Sequence, residues 1–168
     1  VLKLLFRFLF GTAELIAQSQ GGVSLQSVRT RLNSLLKNDL IIQKREGKDK
    51  LQGKPAIYRL SAKGRRNLRE RDAAKYSEKV LNAIRGNRNS SDQFINRQLA
   101  IFRICNLFEQ SFGDSLVYLT KSNLAAEKFD YLPEVKPDAL VRLTEVDRSF
   151  FMYYLDQSTP DFASIRRI

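Results

Sequence analysis

Short polar and basic side chains line one face of the helix that the sequence predicts after Ser24. Ser24 is a residue type that caps helices. One apolar stripe recurs behind it at three- and four-residue spacing, formed by Leu25, Val28, Leu32, Leu35 and Leu36. The opposite face carries groups that donate to phosphates or reach base edges: Gln26, Ser27, Thr30, Arg31, Ser34 and Lys37. Such a face predicts hydrogen bonding to nucleic acid.

A β-hairpin with a basic tip is predicted directly after this helix. Leu40–Ile42 and Ala56–Leu60 read as its two strands. The turn between them concentrates cations that contact phosphates, namely Lys44, Arg45, Lys48, Lys50 and Lys54. A helix with a polar outer face followed by such a hairpin is the pattern of a winged helix-turn-helix. Double-stranded DNA is therefore the predicted partner.

The positive charge of the chain is concentrated in its first half. The formal net charge is +11 over 168 residues. Residues 1–88 hold 20 Lys and Arg against 7 Asp and Glu, whereas residues 89–168 hold 9 against 11. This asymmetry indicates a polyanion-binding module joined to a segment with another role.

The composition excludes several kinds of catalytic site. The chain has no histidine and one cysteine, Cys105, so sites that need imidazole and internal disulfides are both excluded. The single cysteine is compatible with a reducing cytoplasm. Cys105 lies within an apolar stripe, which predicts a small core residue. Gly53-Lys54 is followed by Pro55 and not by Ser or Thr, so it is not a phosphate-binding loop.

The other predicted elements are mostly helices in the first two thirds of the chain. The apolar run from Val1 to Phe10 is too short to span a bilayer, so it is predicted to form a buried first helix. Leu9 is among the predicted core residues of that helix. Thr12 caps a second helix, and Gly21-Gly22 makes the turn into the third. Ser61 caps a helix over 62–71, and residues 73–85 are predicted to continue as helix. The cations of that first segment either follow a phosphate backbone or form a solvated face: Lys63, Arg65, Arg66, Arg69 and Arg71.

After a linker at 86–91, a long buried helix and then strands are predicted. The helix runs to Phe112 with a wide apolar face formed by Phe94, Ile95, Leu99, Phe102, Cys105, Phe108 and Phe112. Strands follow at 116–120, 139–144 and 149–156, whereas 121–130 reads either as a short helix or as a loop.

The order of these features resembles the replication-relaxation family of plasmid and mobile-element replication and mobilisation proteins. The matching N-terminal segments are Thr12-Ala-Glu-Leu-Ile-Ala, Val28-Arg-Thr-Arg-Leu-Asn-Ser-Leu-Leu and Ile57-Tyr-Arg-Leu-Ser-Ala-Lys-Gly. The C-terminal match is Pro137-Asp-Ala-Leu-Val-Arg-Leu followed by Phe150-Phe-Met-Tyr-Tyr-Leu-Asp-Gln-Ser-Thr. The family tends to have Pro-Asp-Ala there, then Phe-Phe-x-Glu-x-Asp-Arg-Gly-Thr.

The resemblance implies a reduced or truncated restriction-endonuclease-like fold for the second half. Active enzymes of that fold place an Asp on one strand and an acidic-x-Lys set on the next, so that carboxylates hold a divalent ion beside a Lys. Asp138 is the first acid here, but Tyr154 stands where the family has Glu and Asp156 where nucleases have Lys. Asp138 and Asp156 either share a Mg²⁺ ion or form a hydrogen-bonding pair at a strand end, and the second interpretation is favoured. No cofactor is expected outside the nuclease alternative.

The sequence thus predicts an α+β protein in three parts. Residues 1–72 form a winged helix-turn-helix, 73–91 a helical linker and 92–168 a small α/β domain. The leading function is sequence-specific binding of double-stranded DNA in plasmid or mobile-element replication or mobilisation. The alternatives are a metal-dependent nuclease and a winged-helix transcriptional regulator. A homodimer or partner contact is expected through the C-terminal half, without membrane association and in the cytoplasm.

Overall fold

The computed structural model describes residues 1–44, 51–83, 90–124, 133, 137–145 and 148–154. In these ranges the chain is α+β, as predicted, with a two-stranded and a three-stranded antiparallel sheet. The first part runs α1 (Leu2–Phe8), α2 (Ala13–Gln18), α3 (Leu25–Lys37), β1 (Ile41–Lys44), β2 (Ile57–Leu60), α4 (Ala62–Arg71) and α5 (Glu78–Ala83). The second runs α6 (Asp92–Phe112), a 3₁₀ turn (Gly113–Ser115), β3 (Leu116–Thr120), α7 (Lys121–Leu124), β4 (Ala139–Leu143) and β5 (Arg148–Met152).

The first helix ends earlier than the sequence predicts. Leu9 adopts φ 66°, in the left-handed region, and thereby ends α1 at Phe8. The helical repeat stops there, so Phe8 and Phe10 are buried while the predicted core residue Leu9 is only half-buried. Gly11 then exchanges two backbone hydrogen bonds with Tyr58 of β2, at 3.0 and 2.8 Å. These bonds tie the end of the first helix to the hairpin.

The predicted caps of α2 and α3 are confirmed. The hydroxyl of Thr12 accepts a hydrogen bond from the Leu15 N–H at 3.3 Å, and that of Ser24 accepts one from the Ser27 N–H at 3.1 Å. Each bond satisfies an N–H that has no partner within its own helix. The Ser24 cap therefore fixes where α3 begins and which of its residues face outward.

The first turn of α4 packs so closely on the chain before β1 that it requires a glycine. Ser61 caps α4 through the Gly64 N–H at 2.9 Å, and its hydroxyl donates to the Asp39 carbonyl at 2.5 Å. These bonds hold Gly64 against the backbone before β1. A Cβ at Gly64 would lie 2.0 Å from the Leu40 carbonyl oxygen, so no larger residue fits here without a backbone shift.

The predicted helix over 73–85 is only partly correct. The chain leaves helical geometry at Asp72, whose φ is −159°, and its carboxylate accepts the Lys75 N–H at 3.0 Å. An Asp side chain that bonds a nearby backbone N–H competes with the helix, so a turn precedes α5. Tyr76, Val80 and Leu81 are buried as predicted, whereas residues 84–89 lie outside the described ranges.

The long helix α6 packs on the N-terminal helices. Ser91 caps it, and Ile95, Phe102 and Cys105 of the predicted apolar stripe are buried. Phe8 of α1 stacks on Phe102 with ring centroids 3.9 Å apart and planes 7° apart. Because of this packing, one hydrophobic core extends from α1 to residues of β3 and β4, across the predicted boundaries at 72 and 91. Phe112, at the far end of the stripe, is 48% exposed.

The second sheet has the strand order β3-β4-β5, with both pairs antiparallel. Leu116 pairs with Leu143, and Ala139 pairs with Met152 on the other side. The strands at 116–120 and 139–144 were predicted within one residue, and 121–124 is a short helix. The predicted third strand, 149–156, instead spans Arg148–Met152, and the chain beyond residue 154 is outside the described ranges.

Candidate functional site

The outward face of α3 carries the polar residues that the sequence places there. Val28 and Leu32 are buried and fix the opposite side of the helix against the core. All six residues of the predicted face are exposed: Gln26, Ser27, Thr30, Arg31, Ser34 and Lys37. The helix contains no acidic residue. It therefore presents an uninterrupted polar and positive surface to solvent.

Two hydroxyls on this face are oriented by local hydrogen bonds. Thr30 donates its Oγ1 hydrogen to the Gln26 carbonyl at 3.1 Å. The hydroxyls of Ser24 and Ser27 lie 2.9 Å apart within hydrogen-bond distance. Because the Thr30 hydrogen is directed into the helix, the free lone pair on its oxygen is an acceptor for a donor outside.

Some of the cations around α3 form ion pairs with a carboxylate, and others form none with the described residues. Arg29 pairs with Glu14 at 3.4 Å, and Lys44 pairs with Asp92 at 2.7 Å. In contrast, Arg31 and Lys37 lie in no ion pair with any described residue. Exposed ion pairs are worth about 0–1 kcal/mol, so the Asp92 contact competes only weakly for Lys44. Lys54 is exposed, whereas Arg45, Lys48 and Lys50 lie outside the described residues.

A groove beside α3 brings together three cations that are far apart in sequence. Lys3, Arg31 and Arg71 line a concavity of about 470 Å³, and Asp72 lies on the same wall. The rest of the lining is largely apolar and includes Leu2, Leu35, Leu40, Leu68 and Tyr76. Sequence reasoning did not find this cluster, because nothing in the local pattern relates residues 3, 31 and 71. Of the basic residues of α4, Arg71 is the one that lines this groove.

Asp138, the candidate acid, is held by an arginine that the sequence analysis did not consider. Arg97 of α6 donates from Nε to Oδ1 at 3.1 Å and from a terminal nitrogen to Oδ2 at 2.6 Å. Oδ2 also accepts the backbone N–H of Tyr154 at 2.8 Å. Asp138 is 2% exposed. The only sequence signal for Arg97 is a charged residue beside the apolar stripe of α6.

The hydrogen bonds to Arg97 and to the Tyr154 N–H give Asp138 a structural role among the described residues. Three donors occupy its two oxygens, and a fork-shaped Arg–carboxylate contact is specific in geometry as well as strong. The contacts fasten the start of β4 to α6 and to the end of β5. Among the described residues no three His, Cys, Asp or Glu side chains come together as metal ligands would. Asp156, the proposed second acid, lies outside the described residues.

Cys105 is confirmed as a core residue. It is completely buried, and burial raises the pKa of its thiol to about 12. Burial likewise raises the pKa of Tyr118 to about 12. The hydroxyl of Tyr118 donates to Glu109 at 3.1 Å, while the guanidinium of Arg7 lies 5.0 Å from the centre of its ring. A thiol with so high a pKa is not an activated nucleophile near neutral pH.

An apolar concavity of about 320 Å³ lies between the end of α6 and the second sheet. Its lining has no charged side chain and consists of Phe108, Phe112, Leu116, Val141, Leu143, Phe150, Phe151 and Met152. Phe150 and Phe151 on β5 are 51% and 44% exposed. These two side chains leave an apolar surface exposed on the second sheet.

Comparisons with protein-family models, with curated proteins and with solved structures found no match to this chain. Within the described ranges, none of the helices combines the length and the apolar character needed to cross a bilayer. The interpretation of the site therefore depends on its own residues.

Proposed function

We propose that this protein binds double-stranded DNA through the outward face of α3. The observation that carries the proposal is that face itself: six exposed polar or basic side chains on a capped helix without acids. Arg or Lys recognises guanine, and Asn or Gln recognises adenine, from an α-helix in the major groove. The short helices before α3 and the hairpin after it are those expected of a winged helix-turn-helix, which is part of the same proposal.

The charge distribution supports a polyanionic partner. Residues 1–88, which contain α3 and the hairpin, hold 20 Lys and Arg against 7 Asp and Glu, whereas residues 89–168 hold 9 against 11. Clustered Lys and Arg supply the sequence-independent part of DNA affinity by releasing counterions from the phosphates. The exposed amide and hydroxyl groups of α3 then supply the contacts that distinguish one base pair from another.

The experiment that tests this function is a selection from random duplexes. We expect the purified full chain to enrich a short motif over several rounds, because Gln26, Thr30 and Ser34 project toward the bases. A parallel selection with Gln26→Ala/Ser34→Ala should enrich the motif poorly or shift it. Recovery of unenriched duplexes by both proteins would mean that binding has no sequence preference.

The role in plasmid or mobile-element replication or mobilisation remains a proposal that depends on the resemblance described above. A winged-helix transcriptional regulator is the second candidate, since the α3 face would serve both roles equally. A nuclease has less support, because Arg97 and the Tyr154 backbone already occupy the oxygens of Asp138. Location in the cytoplasm and contact with a second copy or partner through the C-terminal half also remain predictions.

A further inference from the structure

The groove beside α3 is lined by cations that form no ion pair with the residues the structure describes. Its cations are exposed, and within the described parts of the chain none of Lys3, Arg31 and Arg71 lies within ion-pair distance of a carboxylate. Asp72 is the one acidic residue in the lining, and its Oδ1 already accepts the Lys75 N–H at 3.0 Å. Three side chains that belong to α1, α3 and α4 thus surround one concavity, and none of them forms an ion pair with a described residue.

Arg31 lies at the edge of the α3 face, on the side of this groove. It follows the buried Val28 by three residues and precedes Leu35, which also lines the groove, by four. Residues three and four apart in a helix share a side. Thr30 and Ser34 lie nearer the centre of the outward face. The sequence pattern left open whether Arg31 contacts phosphates or base edges, and its surroundings are those of the groove.

We propose that this groove holds a phosphate of the duplex backbone, gripped by Lys3, Arg31 and Arg71, and that Arg31 therefore positions the helix and does not read a base. The inference rests on the proposed DNA-binding function. A phosphodiester is the anion that lies beside a helix placed in the major groove, and arginine binds phosphate oxygens through two parallel N–H donors. The apolar floor keeps water from competing on one side of the phosphate.

The first test compares two arginines of the same helix. Arg66 is exposed, lies outside the groove and makes no ion pair with described residues, so Arg66→Ala is a control of equal charge change. We expect Arg71→Ala and Arg31→Ala to weaken binding about tenfold, the size of one charge-assisted hydrogen bond. The loss should be equal on preferred and scrambled duplexes, and the salt slope should fall by about 1. An Arg71→Ala effect no larger than that of Arg66→Ala would overturn the inference while leaving DNA binding intact.

The second test locates the phosphate. Each backbone phosphate of the preferred duplex is replaced in turn by a neutral methylphosphonate. At one position we expect wild type to lose affinity and Arg71→Ala to lose none further, because the contact is already absent. Losses that add at every position would place Arg71 elsewhere.

A third measurement separates this inference from the function on which it rests. Inorganic pyrophosphate is titrated into the protein while the arginine Nε–H resonances are recorded by NMR. Shifts of the Arg31 and Arg71 signals, absent in the respective alanine variants, support an anion site. If these shifts occur but no duplex binds, the groove takes a free phosphate compound and the backbone assignment is wrong. If pyrophosphate causes no such shifts and no duplex binds, the proposed anion site is overturned altogether.

Discussion

Arg97 binds both carboxylate oxygens of Asp138, at 3.1 and 2.6 Å, and so joins the long helix α6 to the residue that precedes β4. The side chain of Asp138 is 1% exposed, whereas that of Arg97 is 36% exposed. A buried carboxylate that loses its partner stays uncompensated, and such losses cost about 3–5 kcal/mol. Because Arg97 is partly solvated, the lower end of that range applies.

We therefore expect Arg97→Ala to lower the free energy of unfolding by about 3 kcal/mol. The measurement is urea denaturation followed by circular dichroism. Arg103→Ala is the control, since Arg103 is an exposed arginine on the same helix without an ion pair to described residues. Surface changes of that kind stay within about 0.5 kcal/mol. Equal losses for the two variants would show that the Asp138 contact does not hold the sheet.

The same aspartate separates the DNA-binding proposal from the nuclease alternative. With its oxygens occupied by Arg97 and the Tyr154 N–H, Asp138 is not expected to support Mg²⁺-dependent cleavage. Supercoiled plasmid incubated with the protein and Mg²⁺ or Mn²⁺ should stay intact. Nicking that disappears in Asp138→Asn, a variant that preserves the shape of the side chain, would favour the nuclease instead.

Gly64 is expected to tolerate no side chain. An alanine Cβ would lie 2.0 Å from the Leu40 carbonyl oxygen, and overpacking of this kind costs about 1–3 kcal/mol. Gly64→Ala should accordingly lower the midpoint of thermal unfolding. Lys63→Ala, an exposed change at the preceding position, should leave it nearly unchanged. A neutral or stabilising Gly64→Ala would mean that the contact between α4 and the Leu40 backbone relaxes freely.

Local signals explain how much of this fold could be predicted from sequence. Thr12, Ser24 and Ser61 each accept the predicted capping hydrogen bond, because capping depends only on neighbouring residues. The turn at Asp72 was missed, since a side-chain bond to the backbone competes there with helix propensity.

Long-range contacts account for the features that could not be predicted. Arg97 and Asp138 are 41 residues apart, and Lys3, Arg31 and Arg71 meet only through packing of three helices. A single sequence contains no local signal for contacts between residues so far apart. The one clue to Arg97 is its position beside a buried helix face, where a charge requires a partner.

Stability should fall at alkaline pH through Cys105 and Tyr118. Burial raises the pKa of Cys105 from 9.0 to about 12 and that of Tyr118 from 10.0 to about 12. The unfolded chain therefore loses these protons at lower pH than the folded protein does. Their contribution is complete below pH 9 and is lost as the pH rises toward 12, with a slope of up to about 1.4 kcal/mol per pH unit for each group.

Urea denaturation between pH 8 and pH 11 measures this loss. Lysines also titrate in that range, so the comparison is between wild type and Tyr118→Phe, which differ in one titrating group. Tyr118→Phe should lose less stability over the interval, although it starts lower because the bond to Glu109 is absent. A loss as steep as that of wild type would exclude Tyr118 as a contributor.

The face of α3 is expected to determine which sequence is preferred. Gln26→Ala should reduce discrimination between preferred and scrambled duplexes by about 1–3 kcal/mol if Gln26 pairs with adenine. Competition assays with the preferred and the scrambled duplex measure this discrimination. Gln18→Ala, an exposed glutamine of α2 outside this face, is the matched control. Equal weakening on the two duplexes would assign Gln26 to the backbone instead.

Binding of duplex DNA by the basic half of this chain is measured by fluorescence anisotropy of a labelled duplex at several salt concentrations. Each neutralised phosphate contributes about −0.9 to the slope of log affinity against log salt. We expect clear binding at low salt that weakens steeply and linearly on this plot as salt increases. Binding that does not change with salt, or no binding even at about 50 mM salt, would contradict it.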